Sequence, residues 1–72
     1  QTATTRLALR LSMDLLRSGG LLVVVAYRGH PGGPEECVAV REELSSLTED
    51  LSMEGDASAD ATSPLLLAAR KA

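Results

Sequence analysis

The feature that most constrains this chain is an uninterrupted apolar run, L-L-V-V-V-A, at Leu21–Ala26. Glycines precede it, and three successive valines occupy its centre. A run of this length without polar alternation is typical of a strand buried on both faces, as in a parallel sheet with helices above and below. An apolar helix segment is the alternative, but the β-branched valines favour a strand. Because such a strand needs a neighbour on each edge, the run predicts a sheet of several strands.

The chain is short for such a sheet. Its 72 residues form at most one small domain, and a core of that size seldom supplies more than about 3–5 kcal/mol. The single cysteine, Cys37, excludes an internal disulfide, and one cysteine with one histidine cannot complete a four-ligand zinc site. We therefore expect no metal site, and we expect another polypeptide to complete or stabilise the fold.

One helix is predicted before this strand in the sequence, and a second helix is predicted after it. The first covers residues 4–17, between threonines that can cap it and an S-G-G segment that can end it. Its leucines fall on two stripes, so we expect cover on two sides. The second covers residues 34–47 and has one apolar stripe, which includes Cys37 as a core residue rather than a reactive thiol.

The last third of the chain offers less pattern. Residues 48–63 are acidic and small, and they form either a loop or a weak edge strand. Residues 64–69, P-L-L-L-A-A, are the other candidate strand. The strand at residues 21–27 needs a neighbouring strand on each edge, and the sequence would then supply too few for both edges. The sequence thus predicts an α/β fold in the order helix, strand, helix, weak edge strand or loop, strand.

Charge and hydropathy exclude some functions. Ten acidic and seven basic residues give a net charge of -3, which is the wrong sign for an independent phosphate-binding surface. If a nucleic acid is a partner, other residues must supply the positive charge. No apolar run approaches the roughly 20 residues of a membrane span, so we expect a soluble intracellular protein with no membrane contact, in either the cytoplasm or an organelle.

The most distinctive local pattern is the glycine-rich segment that follows the apolar run. It contains the only tyrosine and the only histidine, Tyr27 and His30, within Y-R-G-H-P-G-G-P-E-E. Loops that lead from a strand into a helix are where open α/β sheets bind ligands, and glycines let the backbone approach a ligand closely. A glycine-rich turn with an exposed histidine is the alternative, because that histidine has no visible partner in the sequence.

The longer pattern resembles a known family. The pattern T-T-x-x-A-L at the start of the first helix, followed by V-V-x-Y-x-G-H-P-G-G-x-E-E, is similar to the putative rRNA methylase family of class I S-adenosylmethionine-dependent methyltransferases. The similarity runs from Thr4 to about Leu47. It implies the C-terminal half of a doubly wound, mostly parallel, Rossmann-like sheet, with residues 21–27 as the fifth strand and residues 64–69 as the final, antiparallel strand.

The resemblance also implies a function. Bacterial members of the family methylate the 5-aminomethyl group of the tRNA wobble uridine, so the chain is expected to be part of an RNA methyltransferase, with tRNA as the RNA. Tyr27 and His30 are the expected catalytic residues. The expected substrate-binding residues are Gly29, Pro31, Gly32, Gly33 and Glu36.

The same resemblance limits what this chain does alone. The family's glycine-rich cofactor loop and ribose-binding acidic residue have no counterpart here, so S-adenosylmethionine is expected to bind the complete enzyme and not this chain, which by itself is expected to be inactive. Arg28 stands where relatives commonly have proline, and residues 52–60 replace an aromatic strand. A missing N-terminal half or a companion chain is the expected partner.

Two other interpretations remain open. The chain could be a truncated or degenerate interaction module that forms a homodimer or binds a partner through the apolar face of its first helix. It could also be a small helical dimer unrelated to methyltransferases, which predicts no strand at Leu21–Ala26.

Overall fold

A computed structural model describes residues 2–58 and 60–72 of the chain. It shows two helices and a three-stranded sheet, in the order α1 (Thr2–Leu15), β1 (Leu21–Ala26), α2 (Gly33–Leu47), β2 (Leu51–Glu54) and β3 (Leu65–Arg70). The predicted α/β composition and element order are confirmed, and the strand at Leu21–Ala26 excludes the all-helical interpretation. Within the described residues, no helix is long and apolar enough to cross a membrane.

The sheet is built around its last strand. The strand order is β1-β3-β2, and β3 pairs antiparallel with both neighbours. Leu21 lies opposite Arg70 and Ala26 opposite Leu65 on one side of β3, while Leu51 lies opposite Ala69 on the other. β1 and β2 therefore run in the same direction, and their carboxyl ends lie at the same end of the sheet.

The predicted mostly parallel sheet is wrong for these three strands. All the pairings between them are antiparallel, because β3 reverses direction and lies between the two strands that run the same way. The prediction that the last strand runs antiparallel to the strand at residues 21–27 is confirmed. That strand ends one residue earlier than predicted, at Ala26, and the last one is shifted by one residue to Leu65–Arg70.

Burial of β1 differs from the expectation as well. Alternate residues of β1 face the helices, and Ala26 is buried there, but Leu21, Val23 and Val25 are 47%, 52% and 44% exposed. Helices cover only one face of the described sheet, and β1 lies at its edge. Burial on both faces is therefore wrong for the described residues. We call the face that carries these three side chains the open face.

The core lies between the sheet and the two helices. Its fully buried side chains are Leu44 of α2 and Leu65, Leu67 and Ala69 of β3. α1 begins two residues earlier than predicted and adds Leu9 and Met13 to this core. Its second apolar stripe faces away from the core, with Leu7, Leu11 and Leu15 exposed by 52%, 54% and 88%.

Ion pairs align α1 with α2 outside the core. Arg6 Nη2 lies 2.7 Å from Glu42 Oε1, and Arg10 Nε lies 3.4 Å from Glu43 Oε2. The two arginine side chains are 35% and 59% exposed, and ion pairs that water reaches contribute little, on the order of 0–1 kcal/mol. The contacts between apolar side chains therefore hold α1 in place, and the arginines fix how it is aligned.

The acidic segment, residues 48–63, contains a short strand, which was one of the two structures that the sequence allowed there. β2 occupies four residues, Leu51–Glu54, and pairs with β3. Thr48 ends α2 and connects it to the sheet, because its Oγ1 donates to the Arg70 carbonyl at 2.6 Å and accepts from the Asp50 amide at 3.1 Å. The remaining described residues of the segment form a loop.

We expect Leu67→Ala to unfold the chain or nearly so. Leu67 is fully buried in the central strand, and truncating such a leucine costs about 2–5 kcal/mol, which is comparable to the stability of a domain this small. Urea denaturation followed by circular dichroism measures the loss. Val38→Ala is the matched control, because Val38 is 50% exposed on α2 and should change the stability by only about 0.5 kcal/mol. Equal effects of the two changes would contradict this core.

Candidate functional site

The segment that connects β1 to α2, residues 27–33, forms a tight turn that we call the corner. It starts where β1 ends at Ala26 and finishes as α2 begins at Gly33. Because β1 and β2 run in the same direction, the corner lies at the end of the sheet where both strands have their carboxyl termini. This is the end at which open α/β sheets bind ligands.

Two adjacent glycines shape the corner. Gly32 has φ 84° and ψ −12°, a left-handed conformation that favours glycine. Gly33 has no room for a side chain, because a Cβ there would lie 2.8 Å from the Tyr27 carbonyl oxygen and 2.9 Å from Arg28 Cα. The Gly33 amide donates to the His30 carbonyl at 2.9 Å, and the Glu36 amide donates to the Gly32 carbonyl at 3.0 Å. The turn and the first turn of α2 therefore depend on these two residues.

The two predicted catalytic side chains are both accessible. Tyr27 is 63% exposed, and His30 is exposed as well. His30 Nδ1 lies 3.0 Å from the Pro31 carbonyl oxygen. A carbonyl only accepts, so this contact places the ring proton on Nδ1 and leaves Nε2 of the neutral imidazole as an acceptor. Among the described residues, no hydrogen bond joins Tyr27 to His30.

Glu36, a predicted substrate-binding residue, connects the two helices. Thr5 of α1 donates its hydroxyl hydrogen bond to Glu36 Oε2. This hydrogen bond is the main reason that the pKa of Glu36 lies below the usual range of a glutamate. The carboxylate is half-buried, so it fixes the start of α1 beside the corner.

Arg28 is the residue of the corner whose role the sequence did not reveal. It is only 6% exposed. Its guanidinium donates to three backbone carbonyls of the β2–β3 loop (residues 55–64): Nη2 to Asp56 at 2.5 Å, Nε to Ser63 at 2.9 Å and Nη1 to Ser58 at 3.5 Å. Its position inside the glycine-rich segment, directly after Tyr27, was the available signal.

Arg28 therefore brings the β2–β3 loop against the corner. A Cβ at Gly29 would lie 3.3 Å from the Thr62 carbonyl oxygen, so the two segments are in close contact there. Asp56 also lies beside Arg28. Hydrogen bonds from the Ser58 side chain and amide lower the pKa of Asp56, and the charge of Arg28 makes a smaller contribution. The surroundings of the corner are acidic, which does not suit an RNA phosphate.

Two open cavities, of about 730 and 610 Å³, lie beside α2 and contain no residue of the corner. The side chains of Tyr27 and His30 are exposed rather than enclosed. Over the described ranges there is also no group of three histidine, cysteine or acidic side chains that could hold a metal ion.

A comparison with protein families identifies the relationship. The profile of the family described as Putative rRNA methylase matches residues 1–64. The chain belongs to this family. The match covers most of the sequence, including the corner and the whole of α2 and β2. Searches of the curated proteins and of the solved structures gave no match.

Membership of the rRNA methylase family confirms the recognised resemblance in its general form. It supports methyl transfer and RNA modification as the activity of the family, and S-adenosylmethionine as the methyl donor in general. The tRNA substrate, the assignment to a C-terminal half and the roles of the corner residues remain predictions.

We expect the Thr5 to Glu36 hydrogen bond to stabilise the fold at neutral pH and to lose its effect in acid. Because the folded pKa of Glu36 is lowered, its contribution is complete above the unfolded value of roughly 4.3 and disappears as the pH falls through the folded value. Thr5→Val should therefore reduce the urea midpoint at pH 7 and have a smaller effect at pH 2. Thr4→Val, at an exposed position one residue earlier, is the control. An equal loss at both pH values would contradict the assignment.

Proposed function

We propose that this chain is part of an S-adenosylmethionine-dependent methyltransferase that acts on RNA, and that it supplies the substrate-side loop after the fifth strand of a doubly wound sheet. The family match over residues 1–64 supports the reaction class. The antiparallel orientation of β3 supports the position that we propose for the chain within that sheet. In the architecture that the resemblance implies, the last strand is the one that runs opposite to the others.

The observation that carries the proposal is the geometry of the corner. Its two chemically active side chains, Tyr27 and His30, are exposed at the end of the sheet where β1 and β2 terminate. His30 presents Nε2 as an acceptor because Nδ1 is engaged by the Pro31 carbonyl. A neutral imidazole with a free Nε2 can accept a proton from an amine.

The proposed roles follow from this arrangement. A methyl group is accepted by an amine only when its nitrogen lone pair is free, so removal of a proton and alignment of the amine are what the corner has to provide. His30 accepts the proton at Nε2, and Tyr27 orients the amine with its hydroxyl. Gly29, Pro31, Gly32 and Gly33 shape the wall against which the base lies, and Glu36 fixes that wall to α1.

The substrate that we propose is tRNA, and its amine is the group methylated. An amine is cationic before it loses its proton, and the acidic surroundings of the corner, which include Glu35 and Asp56, favour a cation over a phosphate. Phosphate contacts and the binding site for S-adenosylmethionine would then come from residues outside this chain, supplied by a preceding segment or a companion chain.

A second candidate function is a non-catalytic interaction module of the same family. The outward stripe of α1 favours it, because Leu7, Leu11 and Leu15 are at least half exposed on a helix whose opposite side is already packed. A stripe of this kind is typical of a surface that another protein covers. In this case the corner would be a turn that binds no substrate.

In a complete methyltransferase that contains this segment, we expect His30→Ala to lower kcat by about 10²- to 10⁴-fold, the usual contribution of a general base. The affinity for S-adenosylmethionine should remain unchanged, because the corner does not hold that cofactor. Steady-state kinetics and isothermal titration measure the two quantities. Arg41→Ala, on α2 away from the corner, is the control. Unchanged turnover in His30→Ala would remove the histidine from the site and favour the interaction module.

We also expect the 72-residue chain alone to bind no S-adenosylmethionine at millimolar concentration. The physical reason is the exposed corner and the position of both cavities away from it. Isothermal titration and the change in melting temperature with added cofactor measure the interaction. A dissociation constant in the micromolar range would show that the cofactor site lies within these residues.

A further inference from the structure

The β2–β3 loop has no apolar anchor of its own. Its described side chains are small or polar, and all of them except Ala61 are exposed. The Ser58 amide and hydroxyl donate to the Asp56 carboxylate, and the Ala61 amide donates to the Ser58 carbonyl. These hydrogen bonds shape the loop without fixing it to the rest of the chain. Segments with few buried apolar contacts open most easily, so this loop needs a contact from elsewhere to stay in place.

Arg28 supplies that contact. Apart from the strand ladder at its two ends, every hydrogen bond between the described loop residues and the rest of the described chain comes from this guanidinium. It donates to the Asp56 carbonyl at 2.5 Å and to the Ser63 carbonyl at 2.9 Å. A third, longer contact reaches the Ser58 carbonyl at 3.5 Å. Because Asp56 lies near the start of the loop and Ser63 near its end, one side chain holds both arms.

The contact is made at a cost that core packing does not explain. Arg28 is only 6% exposed, and within the described ranges no carboxylate lies at ion-pair distance from it. Withdrawing a cation from water is unfavourable unless hydrogen bonds compensate for it. The loop that receives these hydrogen bonds contributes no side chain to the apolar core. The buried guanidinium therefore serves the placement of the loop.

The loop is held directly beside the candidate site. Arg28 follows Tyr27 in the chain, and the next residue, Gly29, precedes His30. A Cβ at Gly29 would lie 3.3 Å from the Thr62 carbonyl oxygen. The loop thus runs against the backbone between the two side chains to which we assign the chemistry.

The held loop also presents groups that suit an RNA base. The carboxylate of Asp56 and the hydroxyls of Ser58, Thr62 and Ser63 belong to exposed residues. A carboxylate accepts hydrogen bonds from amino groups, and a hydroxyl both donates and accepts. Unstacked RNA bases are recognised by hydrogen bonds of this kind to their edges.

We propose that Arg28 is a positioning residue that holds the β2–β3 loop against the corner, so that the loop forms a second wall of the substrate site and contacts the RNA next to the reacting base. The inference rests on the proposed function, because RNA is the substrate that this wall contacts. Arg28 itself touches neither the RNA nor the amine, since its guanidinium is buried among main-chain carbonyls of the loop.

Proteolysis tests the first half of the proposal. In a complete methyltransferase that contains this segment, Arg28→Ala should speed cleavage within residues 55–64 by a non-specific protease by at least about tenfold, because released loops are the preferred sites of nicking. Arg70→Ala is the matched control: Arg70 also donates to a main-chain carbonyl, that of Gly19 at 2.8 Å, but at the opposite end of the sheet. Equal cleavage of the loop in the parent and in Arg28→Ala would overturn the proposal.

Kinetics test the second half. Arg28→Ala should raise the KM for unmodified tRNA by about tenfold or more, because the RNA must then order the loop itself. The KM for S-adenosylmethionine should not change, and kcat should keep its size and its pH dependence, since His30 is still present. A general loss of structure would instead lower kcat and weaken both substrates together. Arg70→Ala should match the parent in all of these constants.

Chemical rescue separates the guanidinium from other effects of the substitution. Arg28→Ala leaves space beside the loop carbonyls, and millimolar guanidinium ion should enter it and lower the KM for tRNA toward the parent value. Urea has a similar size and shape without the charge and should give no rescue at the same concentration. Rescue by neither compound, with a raised KM, would overturn the assignment of the effect to this contact.

A second variant covers the case in which Arg28→Ala does not fold. Arg28→Lys keeps the charge and the aliphatic stem, but one compact ammonium cannot reach acceptors on both arms of the loop, so the same rise in KM is expected. If neither variant folds, Arg28 is a structural residue of the domain and the proposal is overturned.

The remaining outcomes distinguish this inference from the proposed function. A parent enzyme that methylates no RNA would refute the proposed function, and this inference with it. Methylation with an unchanged KM for tRNA in Arg28→Ala would overturn this inference alone. A fall in kcat at an unchanged KM would also overturn it, because Arg28 would then act on the corner and not through the loop.

Discussion

The fold depends on the reversed strand at the centre of the sheet. β3 supplies both the hydrogen-bond partners of β1 and β2 and the fully buried side chains Leu65, Leu67 and Ala69. Without β3 the other two strands share no edge, and α2 has no continuous surface against which to pack Leu44. A chain of this size has little stability to spare, so one strand that serves three neighbours determines whether the domain forms.

The corner also depends on the position of β3, through the loop that precedes β3. β3 begins at the end of the sheet where β1 finishes, so the loop that precedes it reaches the segment after Ala26. Arg28 then uses its buried guanidinium to join the two segments. The accessible Tyr27 and His30 are thus held on a backbone that is fixed by glycine geometry on one side and by an arginine on the other. These contacts hold the backbone that carries Tyr27 and His30 in place.

The sequence predicted the elements well because their signals are local. Three valines favour a strand, and Gly33 followed by Pro34 favours a helix start, whatever surrounds them. Burial of Val23 and Val25 could not be predicted in the same way, because it depends on which polypeptide lies against the open face. The pairing of β2 with β3 joins residues 12 to 18 positions apart in the chain, and Arg28 contacts carbonyls 28 to 35 positions away, so neither has a local signal. Within the candidate site, Gly32 and Gly33 were identified by residue type, whereas Thr5 as the partner of Glu36 required the packing of α1 on α2.

The three hydrogen bonds of Arg28 all go to main-chain oxygens, and this has a consequence for how the protein can change over evolutionary time. Any amino acid carries the same carbonyl, so the side chains at Asp56, Ser58 and Ser63 can be replaced without removing an acceptor. The surface next to the corner can therefore acquire new chemistry by ordinary substitution while its backbone stays docked. Replacing the arginine would break this contact, since even lysine would offer a single ammonium where a planar fork now reaches three oxygens.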